Sequence, residues 1–147
     1  MKAYIFQAAV ICVASAIIGG ISYALHPAAP ALYLNSAPPA EGETTLPIVL
    51  EKWGVENVLW IDARPEEKFA AGHWPNAIPL NDQVWTESLW QNSEAILGSD
   101  LPIVIYCGSE ACEASKKVAE RLRQEVGVPE VYFLRGGWRE LKGLLAK

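Results

Sequence analysis

The run Leu101-Pro102-Ile103-Val104-Ile105-Tyr106 is apolar from end to end and leads directly into Cys107-Gly108-Ser109. It is too short for a buried helix and has no polar face for a half-exposed strand. A segment of that kind reads as a central strand of a parallel sheet, covered on both sides. Parallel neighbours need crossover connections, most simply helices, so the chain around this run has to alternate strand and helix.

The flanking sequence supplies that alternation. Thr45 before Leu46-Pro47 looks like a helix start, with proline at an early helical position and a stop near Gly54. Asn57 to Asp62 reads as a short buried strand, Pro65 to Ala71 as a short helix closed by Gly72, and Ala77 to Leu80 as a brief strand. Asp82 to Leu97 suits one or two helices. Glu113 to Val126 carries Val118, Ala119, Leu122 and Val126 on one side of a helix. Val131 to Leu134 reads as a strand and Trp138 to Ala146 as a closing helix. The expected fold class is α/β, a mainly parallel sheet with helices on both faces. That domain is expected over residues 45–147.

What precedes it differs. Lys2 is the only Lys, Arg, Asp or Glu among the first 40 residues, and Ala3 to Leu25 is almost wholly apolar or small. A span of about 20 such residues matches the hydrocarbon core of a bilayer. Residues 1–25 are therefore expected to form a transmembrane anchor, or a signal segment with Ser22 and Ala24 near a cleavage site. Residues 26–44, with four prolines between His26 and Ala40, read as an extended linker. Positive charge before the span and none after it until Lys52 puts the domain on the periplasmic or outer side. Beyond residue 40 the chain holds eleven basic and seventeen acidic side chains, a net charge of −6. With no basic stripe to displace counterions from phosphates, nucleic-acid binding is not expected.

The chemistry gathers where the apolar strand ends. Sites in open α/β sheets form at the carboxyl ends of strands. A helix start there offers backbone N–H groups and partial positive charge, which lower a thiol pKa. Cys107 is the candidate nucleophile, with Gly108 allowing a tight turn. The same position also suits a buried, inert cysteine.

Four short motifs occur in order around it. These are Asp62-Ala63-Arg64, Gly72-His73-Trp74-Pro75-Asn76-Ala77, Tyr106-Cys107-Gly108-Ser109 and Leu134-Arg135-Gly136-Gly137-Trp138. Together they resemble the rhodanese-like (sulfurtransferase) family over about residues 45–146. The resemblance implies a five-stranded parallel sheet and a persulfide carried on Cys107. It implies a loop of Gly108, Ser109, Glu110, Ala111 and Cys112 cradling the outer sulfur. Partners would be a small sulfur donor and a thiol or cyanide acceptor, with no metal or organic cofactor. Asp62 would fix loops by hydrogen bonds, and Arg64 would be an accessory residue.

The departures from the family pattern bear on substrate. Glu110 and Glu113 stand where many members carry an arginine, which disfavours a dianionic donor such as thiosulfate and opposes lowering of the Cys107 pKa. A Cys-x5-Arg phosphatase loop would need arginine at 113, so that chemistry is not expected. Asn76 replaces a glycine usual in the family. Cys112, five residues after Cys107, is either a packed helix-start cysteine or a resolving thiol able to form a disulfide. Two alternatives to sulfurtransferase therefore stand: a non-catalytic rhodanese module that binds a partner, and a Cys107/Cys112 thiol redox protein. Trp85 and Trp90 read as packing residues or as the mouth of the site.

Overall fold

The computed structural model describes residues 2–25, 38–108 and 113–145. The chain divides into two compact units, Met1–Pro38 and Pro39–Lys147.

In the first unit a single helix, α1, spans Lys2–Leu25 and runs unbroken through Gly19 and Gly20. Its side chains are described at Gln7 and over residues 10–22. They include Val10, Ile11, Val13, Ile17, Ile18 and Ile21, all more than half exposed. Among the described residues no helix is long and apolar enough to cross a membrane. The transmembrane anchor expected over residues 3–25 is thus not found among the described residues; the helix expected there is.

In the second unit five strands form one wholly parallel sheet: β1 (Glu43–Thr44), β2 (Leu59–Asp62), β3 (Ile78–Pro79), β4 (Ile103–Tyr106) and β5 (Val131–Leu134). Their order is β1-β5-β4-β2-β3. Strand β4 lies at the centre, with Ile105 opposite Ile61 of β2 and Phe133 of β5. The connections carry α2 (Leu46–Lys52), α3 (Glu66–Ala70), α4 (Trp85–Leu97) and α5 (Glu113–Arg121), and α6 (Trp138–Leu145) closes the chain.

All four β4 residues are buried, and they alternate between two cores. Ile103, Ile105 and then Cys107 face Trp85 and Ile96 of α4 and Val118 and Ala119 of α5. Val104 and Tyr106 face the opposite side, with Val49 of α2 and Leu141 of α6. Each such aliphatic side chain contributes roughly 1.5–3 kcal/mol by leaving water. The period-2 alternation decides that the Cys107 side chain points toward α5.

Strands β2, β3 and β4 are shorter than the runs that announced them, whereas β5 keeps its expected bounds. Strand β4 begins at Ile103 because Pro102 has no N–H for the ladder. Helix α5 ends at Arg121 and passes into a wide π-type turn, Leu122–Val126, closed by Gly127 at φ 80°. In the Trp74–Ala77 turn, Asn76 takes φ 61°. Asparagine is among the few residues that enter this left-handed region readily, so it serves where the family has glycine.

Strand β1 corrects the expectation that residues 26–44 are linker. Glu43 and Thr44 pair with Phe133 and Leu134. Phe133 N–H donates to Gly42 O and Arg135 N–H to Thr44 O, both at 2.9 Å. Arg135 Nη2 also reaches Glu43 Oε2 at 2.7 Å. The hydrogen bond from Arg135 holds the Glu43 carboxyl below its ordinary 4.5. A lowered carboxylate pKa stabilises the fold fully above the unfolded value and loses that contribution as pH falls through the folded one. Stability of wild type relative to Glu43→Gln is therefore expected to be constant above about pH 5 and to shrink below about pH 4.5. Urea melts across that range would show it.

Candidate functional site

Cys107 follows the last residue of β4 and is 1% exposed. Its carbonyl accepts a 2.7 Å hydrogen bond from Trp138 N–H, which ties the strand end to the start of α6. Ser115 Oγ, on the buried face of α5, donates to Cys107 Sγ at 3.6 Å. Cys107 is disulfide-bonded, whereas Cys12 is free. Ser109, Glu110, Ala111 and Cys112, the rest of the expected persulfide loop and its resolving thiol, lie outside the described residues.

Asp62 and Arg64 form the second layer of the site. Strand β2 ends at Asp62, which is fully buried, and the chain turns back so that Arg64 folds over it. Arg64 Nε and Nη2 grip the carboxylate at 2.9 and 2.6 Å, and Nη2 also donates to Gly72 O at 2.7 Å. The guanidinium lies 4.5 Å from the Trp138 ring centroid. Burial works against its charge, but Asp62 outweighs that and holds the Arg64 pKa above its ordinary value. Arg64 is therefore a clamp between the ends of β2, the Gly72 turn and α6. It lines the same cavity as Cys107, and its Nε and Nη2 donors are taken by Asp62 and Gly72.

Below this pair Tyr106 OH accepts from Trp74 N–H at 3.1 Å. Burial pushes the Tyr106 phenol above its ordinary pKa, so it stays protonated. The Gly72-His73-Trp74 turn is thereby pinned to the strand that carries the cysteine. His73 stacks on Phe69 and its Nδ1 lies 3.0 Å from Phe69 O.

A cavity of about 380 Å³ opens over Cys107. Cys107 and Gly108 meet Ala63, Pro65, Ala114 and Trp138 there, and Arg64 and Lys68 bring the charges. Gly108 does not take a positive φ, and among the described residues a Cβ on it would meet Arg64 Cδ at 3.8 Å and Cγ at 4.0 Å, ordinary contacts. Trp85 and Trp90 do not line this cavity: Trp85 is buried under Arg121, and Trp90 is 82% exposed. Among the described residues no cluster of three His, Cys, Asp or Glu side chains could hold a metal ion.

Sequence reading missed Ser115, whose only signal is a hydroxyl on the apolar face of an amphipathic helix. A hydrogen bond to the thiolate favours the ionised form. In the reduced protein, Ser115→Ala, which removes the hydroxyl on Cys107 Sγ, is expected to slow Cys107 alkylation severalfold at neutral pH. Iodoacetamide kinetics followed by mass spectrometry would check this.

Comparison with known proteins bears on this geometry. The family model of the rhodanese-like domain matches residues 48–144. Among solved structures, the BH2092 protein from Bacillus halodurans is 27% identical, with a TM-score of 0.51 over 68% of this chain and 72% of that one. The human single-domain sulfurtransferase TSTD1 is 18% identical, with a TM-score of 0.52 over 69% and 96%. The rhodanese-like domain of Alr3790 from Anabaena sp. is 20% identical, with a TM-score of 0.52 over 71% and 76%. A comparison with curated proteins finds no match.

Proposed function

This chain belongs to the rhodanese-like domain family, and on that footing we propose that it is a sulfurtransferase that carries sulfane sulfur as a persulfide on Cys107. The observation that carries the reading is the placement of a cysteine at the end of the central strand, on the floor of a cavity, with Ser115 Oγ on its sulfur. The Cys107 thiolate attacks the outer sulfur of a persulfide R–S–SH. The S–S bond of the donor breaks, its electron pair leaves on R–S⁻, and Cys107 becomes Cys–S–SH. An acceptor nucleophile, a thiol or cyanide, then takes the outer sulfur and returns the cysteine thiolate. This is covalent catalysis with electrostatic stabilisation of the terminal sulfur. In the proposal the N–H groups of residues 108–112 supply that stabilisation. The exposed apolar side chains of α1 favour attachment to a membrane, and the positive charge at Lys2 with none after it until Lys52 favours a periplasmic or outer domain. Sedimentation of the full chain with vesicles would test the attachment.

One observation favours a second reading. Cys107 is disulfide-bonded, and Cys12 is free. A thiol redox protein pairing Cys107 with Cys112 would use that state as part of its cycle, whereas a sulfurtransferase has to be reduced before it can load sulfur. The experiment is intact mass spectrometry of the full chain, with and without prior reduction by a dithiol, after exposure to thiosulfate and then to glutathione persulfide. One added sulfur on the reduced protein, removable by cyanide, supports the sulfurtransferase. No adduct with Cys107 reduced, together with reversible two-electron oxidation, supports the redox protein. No adduct and no reversible oxidation leaves the partner-binding module.

A further inference from the structure

We infer that Lys68 is the donor-recognition residue of the Cys107 cavity, holding the anionic outer end of an organic persulfide whose apolar body lies against Trp138. The inference rests on the sulfurtransferase reading and deepens it. Two cations line the cavity, and Arg64 is already committed to Asp62 and Gly72. Lys68 is exposed on α3 and makes no ion pair among the described residues.

The described lining contains no carboxylate. Glu66 and Glu67, the preceding residues of α3, instead line a neighbouring cavity of about 360 Å³. The helix thus turns its acids to one cavity and its lysine to the other. Ala63, Pro65, Ala114 and Trp138 add apolar wall to the cavity that Lys68 and Cys107 share. A compact dianion such as thiosulfate gains nothing from that wall. A donor with a carbon body and a carboxylate beyond it, in the manner of a cysteine-derived persulfide, satisfies both. The transfer step is the one given above, and Lys68 takes no part in its bond changes.

The test compares N-acetylcysteine persulfide with the persulfide of its neutral methyl ester, as donors to the reduced full chain. The readout is the rate of sulfur addition by intact mass. The ester keeps the apolar body and the reacting sulfur and removes the charge. Wild type is expected to favour the acid by roughly twofold to fivefold, the worth of an exposed ion pair. Lys68→Gln is expected to bring the ratio to about one, and Lys68→Glu to invert it. About 1 M salt should erase the wild-type preference, because screening then acts within ~3 Å. Lys142→Gln, on α6, should keep the ratio. A wild-type ratio retained by Lys68→Gln overturns the inference and leaves the sulfurtransferase standing. No sulfur on wild-type Cys107 from either donor overturns both.

Discussion

Changing Cys107 to serine is expected to abolish sulfur loading, to below detection by intact mass with either thiosulfate or glutathione persulfide. A serine hydroxyl is a far weaker acid than a thiol, is not ionised at neutral pH, and has no sulfur on which to build a persulfide. The change keeps the side chain's shape. Ser115 Oγ, now 3.6 Å from sulfur, can partner the new hydroxyl, so the fold should persist. Circular dichroism and a melting curve would verify that. The comparison has to begin from reduced wild type, because Cys107 is otherwise disulfide-bonded. A cyanide-labile sulfur still added to Cys107→Ser would place the nucleophile elsewhere and sink the assignment.

The second large effect concerns stability. Asp62→Ala is expected to cost roughly 3–5 kcal/mol, the usual result of stranding one member of a buried ion pair. For a domain of this size that lowers the melting temperature by more than about 10 °C. Asp62 is fully buried and Arg64 is 7% exposed, so neither can be rescued by water without opening the site. Removing both should hurt less than removing one: Asp62→Ala with Arg64→Met is expected to melt above Asp62→Ala alone. If the single and double variants melt together, the clamp contributes little and Arg64 has another task. Arg64→Met alone should leave the Gly72 turn and Trp138 without their common tie, and the cavity wall should loosen with it.

Much of the fold is legible in the sequence. Leu101 to Tyr106 announced the central strand because burial on both faces removes polar residues from the pattern altogether. Cys107 stands out by its place at that strand's end, a position that also suits an inert thiol, and the four motifs single out Asp62 and Arg64 without locating their side chains. What escaped reading has identifiable causes. Glu43-Thr44 is two polar residues with no period to detect; it becomes a strand because Phe133 and Arg135 N–H groups and an Arg135 ion pair hold it there. The task of Arg64 is not legible either, because a sequence cannot say which carboxylate will hold a guanidinium. Lys68 sits in Glu66-Glu67-Lys68, which reads as a solvated helix face until the fold puts the acids and the base beside different cavities. Trp85 and Trp90 offered equal aromatic surface, and only the packing of α4 separates a buried ring from a bare one.

The two-residue length of β1 sets where the domain would yield under tension. A pull applied through the segment before Pro38 reaches the domain first at Glu43 and Thr44, at the edge of the sheet. Two ladder rungs and one ion pair resist it there, while β4, gripped on both sides, bears load only after they have parted. Force would therefore peel the outermost strand first, exposing the β5 edge and slackening the Arg135–Trp138 segment whose N–H holds the Cys107 carbonyl. The point where the chain enters the domain and Cys107 are mechanically in series, with β1 as the weak link between them.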